Sequence, residues 1–244
     1  MATTKEVFPS DAILWLEFGG QYVNGAGKTV IDNLATMGNA VKTVMCGDGT
    51  TANTIPAQIA GKRGLYFDGN SNYLDTGIID PFDRTDKFTM FFVAACNYPE
   101  AIEMYAANAD QAGSPIIGIH FFQYLKKMYV EIISSPSSQI KLSQTTGASR
   151  NVISQCFTYN GSSLASGILV YTGGVLTTNT VTSNNLTTTI KNGKSLLIGT
   201  KYDGALRPNK FSGNMHFAAI FPSALSPLQV SNLHKKVMKR INLP

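Results

Sequence analysis

The side chains able to do covalent chemistry are thinly spread along this chain. It has five glutamates, Glu6, Glu17, Glu100, Glu103 and Glu131. A glycosidase that takes both carboxylates from one strand needs them two residues apart, because alternate strand residues share a face. No glutamate here has an acid two residues later. No serine occupies a Gly-x-Ser-x-Gly elbow, and no cysteine lies next to a histidine in sequence. His120 and His216 sit in apolar, strand-like runs, which suits a histidine held by a neighbour better than a proton shuttle. Neither has a nearby cysteine or second histidine to suggest zinc.

Three further stretches invite a chemical reading. Residues 80–87 hold Asp80, Asp83 and Asp86, and calcium is the ion such acids could gather, since it takes six to eight oxygens. The regular Asp-x-Asp-x-Asp-Gly spacing is absent, so a solvated loop and no cofactor or metal are expected. Gly25-Ala26-Gly27-Lys28-Thr29 imitates part of a phosphate loop, but Tyr22 stands where the first glycine is required. An ordinary loop is expected there. Lys201-Tyr202-Asp203-Gly204-Ala205-Leu206-Arg207 places a ring, a carboxylate and two cations between two strand-like segments. Tyr202, Asp203 and Arg207 are the residues we select as ligand-binding candidates, because binding sandwiches present rings and polar groups from loops.

The charge distribution is uneven. After Asp203 there is no acid, while Arg207, Lys210, Lys235, Lys236, Lys239 and Arg240 follow, so the rest of the chain sums to −1 against a total of +5. Aromatics do not interleave with these cations, which argues against nucleic acid as a partner. Val230, Leu233, Val237 and Ile241 form one stripe at helical spacing, flanked by Lys235, Lys236, Lys239 and Arg240. An apolar stripe needs a surface to pack on. Residues 226–244 are therefore expected to attach the protein to an assembly through these four cations, against the alternative that the helix packs on its own domain.

These groups must be positioned mainly by strands. With 244 residues, 43% hydrophobic and only 14% charged, the chain draws its polarity from Thr, Ser, Asn and Gly, which suits strands and turns. All-β sandwiches of this length are often one domain. Strands are predicted over 12–18, 88–96, 104–107, 115–122, 128–133, 140–143, 152–159 and 167–172. Asp68-Gly69 predicts a hairpin over 64–76, and Asn160-Gly161 and Gly173-Gly174 predict further turns. Residues 19–62 read as largely irregular, and 177–190 as an exposed edge or long loop. Trp15, the only tryptophan, reads as core. No run of eighteen apolar residues occurs, so no membrane insertion is expected. The odd count of three cysteines predicts free thiols at Cys46, Cys96 and Cys156.

Residues 211–233 run as a strand apolar on both faces, a corner at Pro222, and a helix start at Ser226-Pro227-Leu228-Gln229. This closing stretch resembles the last strand and helix of laminin-G-like, concanavalin A-like jelly rolls. Gly64-Leu65-Tyr66-Phe67-Asp68-Gly69, the run from Tyr159 to Gly174, and Ile198-Gly199 fit the same pattern in order. The resemblance implies an all-β, two-sheet antiparallel jelly-roll sandwich over 1–225, with 226–244 as a basic amphipathic helix of the same domain. The fold hosts lectins, glycosidases, adhesion modules and virion proteins, so it does not name a job. The N-terminus lacks the features of a signal peptide. That leads us to expect a bacteriophage virion protein made in the host cytoplasm. It would be a non-enzymatic capsid, head-fibre or tail-surface module, with other virion proteins or its own copies, and host-surface glycans, as partners. A free carbohydrate-binding or adhesion module is the alternative, and a glucanase-like hydrolase using Glu131 the second.

Overall fold

A computed structural model describes residues 9–37, 41–60, 63–109, 116–144, 150–202 and 208–241. In chain order the strands are β1 Leu14–Leu16, β2 Tyr22–Val23, β3 Thr29–Asp32, β4 Thr43–Cys46, β5 Ala57–Gln58, β6 Leu65–Asp68, β7 Leu74–Ile79, β8 Phe88–Cys96 and β9 Glu103–Ala107. They continue as β10 Gly118–Tyr124, β11 Lys127–Ser135, β12 Ser138–Gln144, β13 Ile153–Tyr159, β14 Ile168–Thr172, β15 Val175–Leu176, β16 Asn179–Asn184, β17 Ser195–Ile198 and β18 Ser212–Phe221. One α-helix, α1 Pro227–Ile241, closes the chain. The smaller sheet runs β15-β14-β13-β8-β18-β6-β5, with β1 also on β18, and the larger runs β16-β12-β11-β10-β9-β17-β7-β4-β3-β2. Every pairing is antiparallel. The protein is a two-sheet antiparallel jelly-roll sandwich with one C-terminal helix.

The main core lies between the sheets, where Leu14, Leu16, Phe67, Phe92, Phe121, Phe157 and Ile220 interdigitate. A second layer forms on the outer face of the smaller sheet. There Trp15, Phe91, Phe217 and Phe221 receive Val230, Leu233, Val237 and Ile241 of α1. Trp15 meets Phe217 edge-to-face at 5.0 Å between ring centroids, so the lone tryptophan is core, as its sequence context predicted. β8 and β18 are covered by a sheet on one side and a helix on the other, which is why neither strand alternates polar and apolar residues.

The helix begins where its capping residues predict. Ser226 N–H donates to Gln229 Oε1 at 2.9 Å, and Gln229 N–H to Ser226 Oγ at 3.3 Å, a reciprocal capping box. Its apolar stripe is buried against its own sandwich. The motive for an attachment role, a stripe with no surface to cover, is thereby removed, and the alternative of a helix packed on its own domain is what the structure shows. Arg240 donates to Glu17 at 2.9 Å, beside an Arg63–Glu17 bond of 2.9 Å. Lys235 and Lys239 are exposed and Lys236 half-buried.

The strand spans at 88–96, 128–133 and 152–159 correspond to β8, β11 and β13. Other features correct the sequence reading. Residues 64–76 are not a hairpin: β6 belongs to the smaller sheet and β7 to the larger. The Asp68 carboxylate accepts N–H groups from Asn70, Ser71 and Asn72, while Asn72 Oδ1 accepts Asp68 N–H. These bonds build a corner that carries the chain between sheets instead of a two-residue turn. Residues 19–62, which read as largely irregular, hold four strands, β2 to β5. β13 and β14 do pair, but through the longer link 160–167. In β18 the ladder slips between Met215 and Phe217. The bulge at His216 sends Met215 into the main core and Phe217 toward the helix, although plain alternation would put them on one face. Gly173 and Gly174, at φ 60° and 75°, make the predicted tight turn between β14 and β15. No described helix is long and apolar enough to cross a membrane.

Candidate functional site

The outward face of the larger sheet carries a run of polar side chains with defined partners. Strand register lines up one row across it: Val30, Met45, Asp75, Leu197, Ala107, His120, Glu131 and Lys141. At the Asp75 end the face sinks into an open cleft of about 450 Å³, within the range of small-ligand sites. Val30 and Met45 form its apolar floor, and Asn24, Lys28, Asp75 and Ser195 supply polar groups.

Tyr202 reaches this cleft through one of its lining residues, Ser195. Its hydroxyl lies 2.6 Å from Ser195 Oγ, which donates to Asp75 Oδ1 at 2.6 Å. Lys194 Nζ stands 5.6 Å from the Tyr202 ring centroid, a cation–π contact, and Tyr202 N–H donates to Ala109 O at 3.2 Å. The two bonds tie the phenol, the hydroxyl and the carboxylate to one another in the order Tyr202–Ser195–Asp75. The cleft therefore brings the oxygens of Asp75 and Ser195 together with Lys28, Asn24 and the apolar Val30 and Met45. That combination suits a polyhydroxylated ligand with one apolar side.

Of the sequence candidates, Tyr202 does not itself line the cleft but bonds the lining residue Ser195, while Asp203 and Arg207 lie outside the described residues. Asp75, Ser195, Asn24 and Lys28 were missed. Asp75 had a local signal, since strand alternation after buried Leu74 turns it outward, but its meeting with Tyr202 depends on pairing between β7 and β17. Gly25–Thr29 lies in the β2–β3 hairpin, with no helix following it, and Asn24 Oδ1 accepts its Ala26 and Lys28 N–H groups at 3.0 Å. Of the acids of 80–87, Asp86 accepts the Asp83 N–H of its own loop, and the other two are hooks for residues 189–193. Asp80 accepts the Asn192 and Gly193 N–H groups, Asp83 the Ile190 N–H and Thr189 hydroxyl. No group of three or more potential metal-binding side chains exists among the described residues.

Further along the row, His120 Nδ1–H donates to Glu131 Oε2 at 3.1 Å, and Lys141 Nζ stands 3.7 Å from Glu131 Oε1. Burial pushes the Glu131 carboxyl up, but the His120 bond and the charges of Lys141 and Lys201 outweigh it and hold it below its usual range. Burial lowers His120 despite Glu131, so the pair stands as neutral imidazole and carboxylate. Glu131 and Asp75 are four strand steps apart, roughly 19 Å at about 4.8 Å per step. Paired glycosidase carboxylates sit about 5 to 9.5 Å apart, so these two acids cannot divide that work.

No protein-family model matches the chain, and no curated protein sequence matches it. Solved structures share its fold. The CBM40 of Ruminococcus gnavus IT-sialidase, bound to α2,3-sialyllactose, superposes with a TM-score of 0.56 at 11% identity, covering 71% of this chain and 97% of that one. A mutant of Trypanosoma rangeli sialidase displaying trans-sialidase activity gives 0.63 at 12% identity, over 96% of this chain and 34% of that one. The binding domain of botulinum neurotoxin serotype D gives 0.57 at 13% identity, over 95% and 52%. The chain thus spans about a third of the sialidase and half of the toxin domain. At these identities the shared property is the lectin-like jelly-roll sandwich itself.

Proposed function

We propose that the protein is a non-catalytic, lectin-like module that holds an oligosaccharide in the cleft beside Tyr202. The observation that carries this reading is the Tyr202–Ser195–Asp75 relay on the wall of an open cleft with an apolar floor. A sugar presents hydroxyls at its rim and C–H groups on its face, which matches acceptors and Lys28 around Val30 and Met45. Rigid partners reduce the entropy lost on binding. The sialyllactose held by a module of the same fold supports a carbohydrate as the class of ligand. The distance between Glu131 and Asp75 favours binding over a two-carboxylate hydrolysis.

A glycan array probed with the intact protein tests the reading, with Asp75→Ala and Tyr202→Ala as controls. Retention of a defined set of glycans, lost in both variants, is expected; no retained glycan refutes it. The virion setting expected from the sequence remains part of the proposal. A module mounted on a particle copurifies with it, whereas absence from purified particles leaves the free adhesion module.

A further inference from the structure

A second surface, distinct from the glycan cleft, lies at one end of the sandwich. The β10–β11 hairpin turns through Leu125 and Lys126, with Tyr124 paired to Lys127. Both turn residues are left-handed, at φ 50° and 61°. Asn-Gly is the usual choice for such a turn, because side-chain-bearing residues are strained there. Leu125 is 56% exposed at the turn and Tyr98 61% exposed beside it. The two segments are joined by Lys126 N–H donating to Pro99 O at 2.8 Å and by a Lys126–Glu100 ion pair of 3.0 Å. A strained turn that keeps a leucine in water is costly to fold twice over, and such outliers concentrate at functional positions.

The charges around this tip are mostly of one sign. Lys126, Lys127 and Arg150 are all exposed, and Arg150 lies close enough to Glu100 to help hold its carboxyl below the usual range, after the Lys126 bond. Glu100 is the only acid among these contacts. Leu125 and Lys126 at the two turn positions, with Tyr98, Tyr124 and Lys127 beside them, bring together the aliphatic, aromatic and cationic groups that a lipid–water interface takes up.

We propose that Tyr98, Tyr124 and Leu125 enter the interface of an anionic lipid bilayer, with Lys126, Lys127 and Arg150 on its headgroup phosphates. This contact needs no spanning segment and is independent of the glycan reading. Cosedimentation with glycan-free vesicles tests it, using phosphatidylcholine alone and phosphatidylcholine mixed with phosphatidylglycerol. The protein is expected to sediment with the mixed vesicles only, and less as salt rises. Leu125→Asp is expected to cut the bound fraction about tenfold, and Lys127→Glu roughly fivefold or more. A second variant, Leu125→Trp, should show a blue-shifted emission component on the same vesicles, which folding defects do not produce. Failure of the unaltered protein to sediment, binding unchanged by Leu125→Asp, or no emission shift in Leu125→Trp would each overturn the proposal.

Discussion

Glu103 offers a sharp test of how this sandwich is held together. It begins β9, is almost fully buried, and accepts the Ser212 N–H at the start of β18. Burial pushes its carboxyl up from 4.5 to about 8, against the smaller opposing effect of the Ser212 bond. The folded protein therefore holds Glu103 neutral while the unfolded chain ionises it. A group raised on folding contributes stability that is complete below the unfolded value and is lost as pH climbs through the folded one. At about 1.36 kcal/mol per pH unit the ceiling is about 5 kcal/mol. Relaxation and water entry reduce such penalties, so we expect roughly 2 kcal/mol. Urea unfolding of the native protein and Glu103→Gln at pH 5.5 and 8.5 measures it. The native protein should lose about 2 kcal/mol more than the variant between these values. At pH 8.5 the variant should melt roughly 4–8 °C higher. The groups that titrate elsewhere are common to both proteins and cancel. Parallel pH profiles would show that Glu103 is already ionised in the fold, and the argument from burial would fail.

Other predictions concern the helix, the thiols and the strained turn. Leu233→Ala should cost about 2–4 kcal/mol by denaturant unfolding, because it empties the layer against Trp15 and Phe217. Lys235→Ala and Lys239→Ala should stay within about 0.5 kcal/mol of the native protein; equal costs for all three would contradict the packed helix. Cys46, Cys96 and Cys156 are free and buried. Burial raises the thiols of Cys46 to about 11 and Cys96 to about 12, and that of Cys156 well above its usual value. A thiol reagent at pH 8 should find none in the folded state and three in denaturant, with fast native labelling as the contrary result. Replacing Leu125-Lys126 by Asn-Gly should raise stability by about 1–2 kcal/mol; a loss would mean that the turn carries no strain.

Much of the architecture was legible because it rests on local patterns. The capping box at Ser226 and the doubly apolar strands β8 and β18 are written in neighbouring residues. Strand ends marked by turn residues were visible for the same reason. What could not be seen depends on pairings between distant segments. Asp68-Gly69 has the composition of a hairpin, yet the side chains of Asp68 and Asn72 capture the backbone and turn it toward the other sheet. The stripe on α1 was visible but not its destination, since a sequence does not show which sheet face is left uncovered. The bulge at His216 reverses which face Met215 takes, and no local residue signals that slip. The cleft follows the same rule. Tyr202 stood out as a loop aromatic, whereas Asp75 and Ser195 acquire meaning only when β7 and β17 pair.

The most direct test of the central claim is calorimetric titration of the intact protein with the glycan that an array retains, comparing the native protein with Asp75→Asn. This substitution keeps the shape of the cleft but removes the charge that accepts the Ser195 hydroxyl, a bond worth about 1.5–3 kcal/mol when one partner is ionised. The account predicts binding to the native protein and a loss of about tenfold or more in the variant, with both titrations run well below the melting temperature of either protein. Equal affinity in the two proteins would contradict the assignment of the cleft as the binding site.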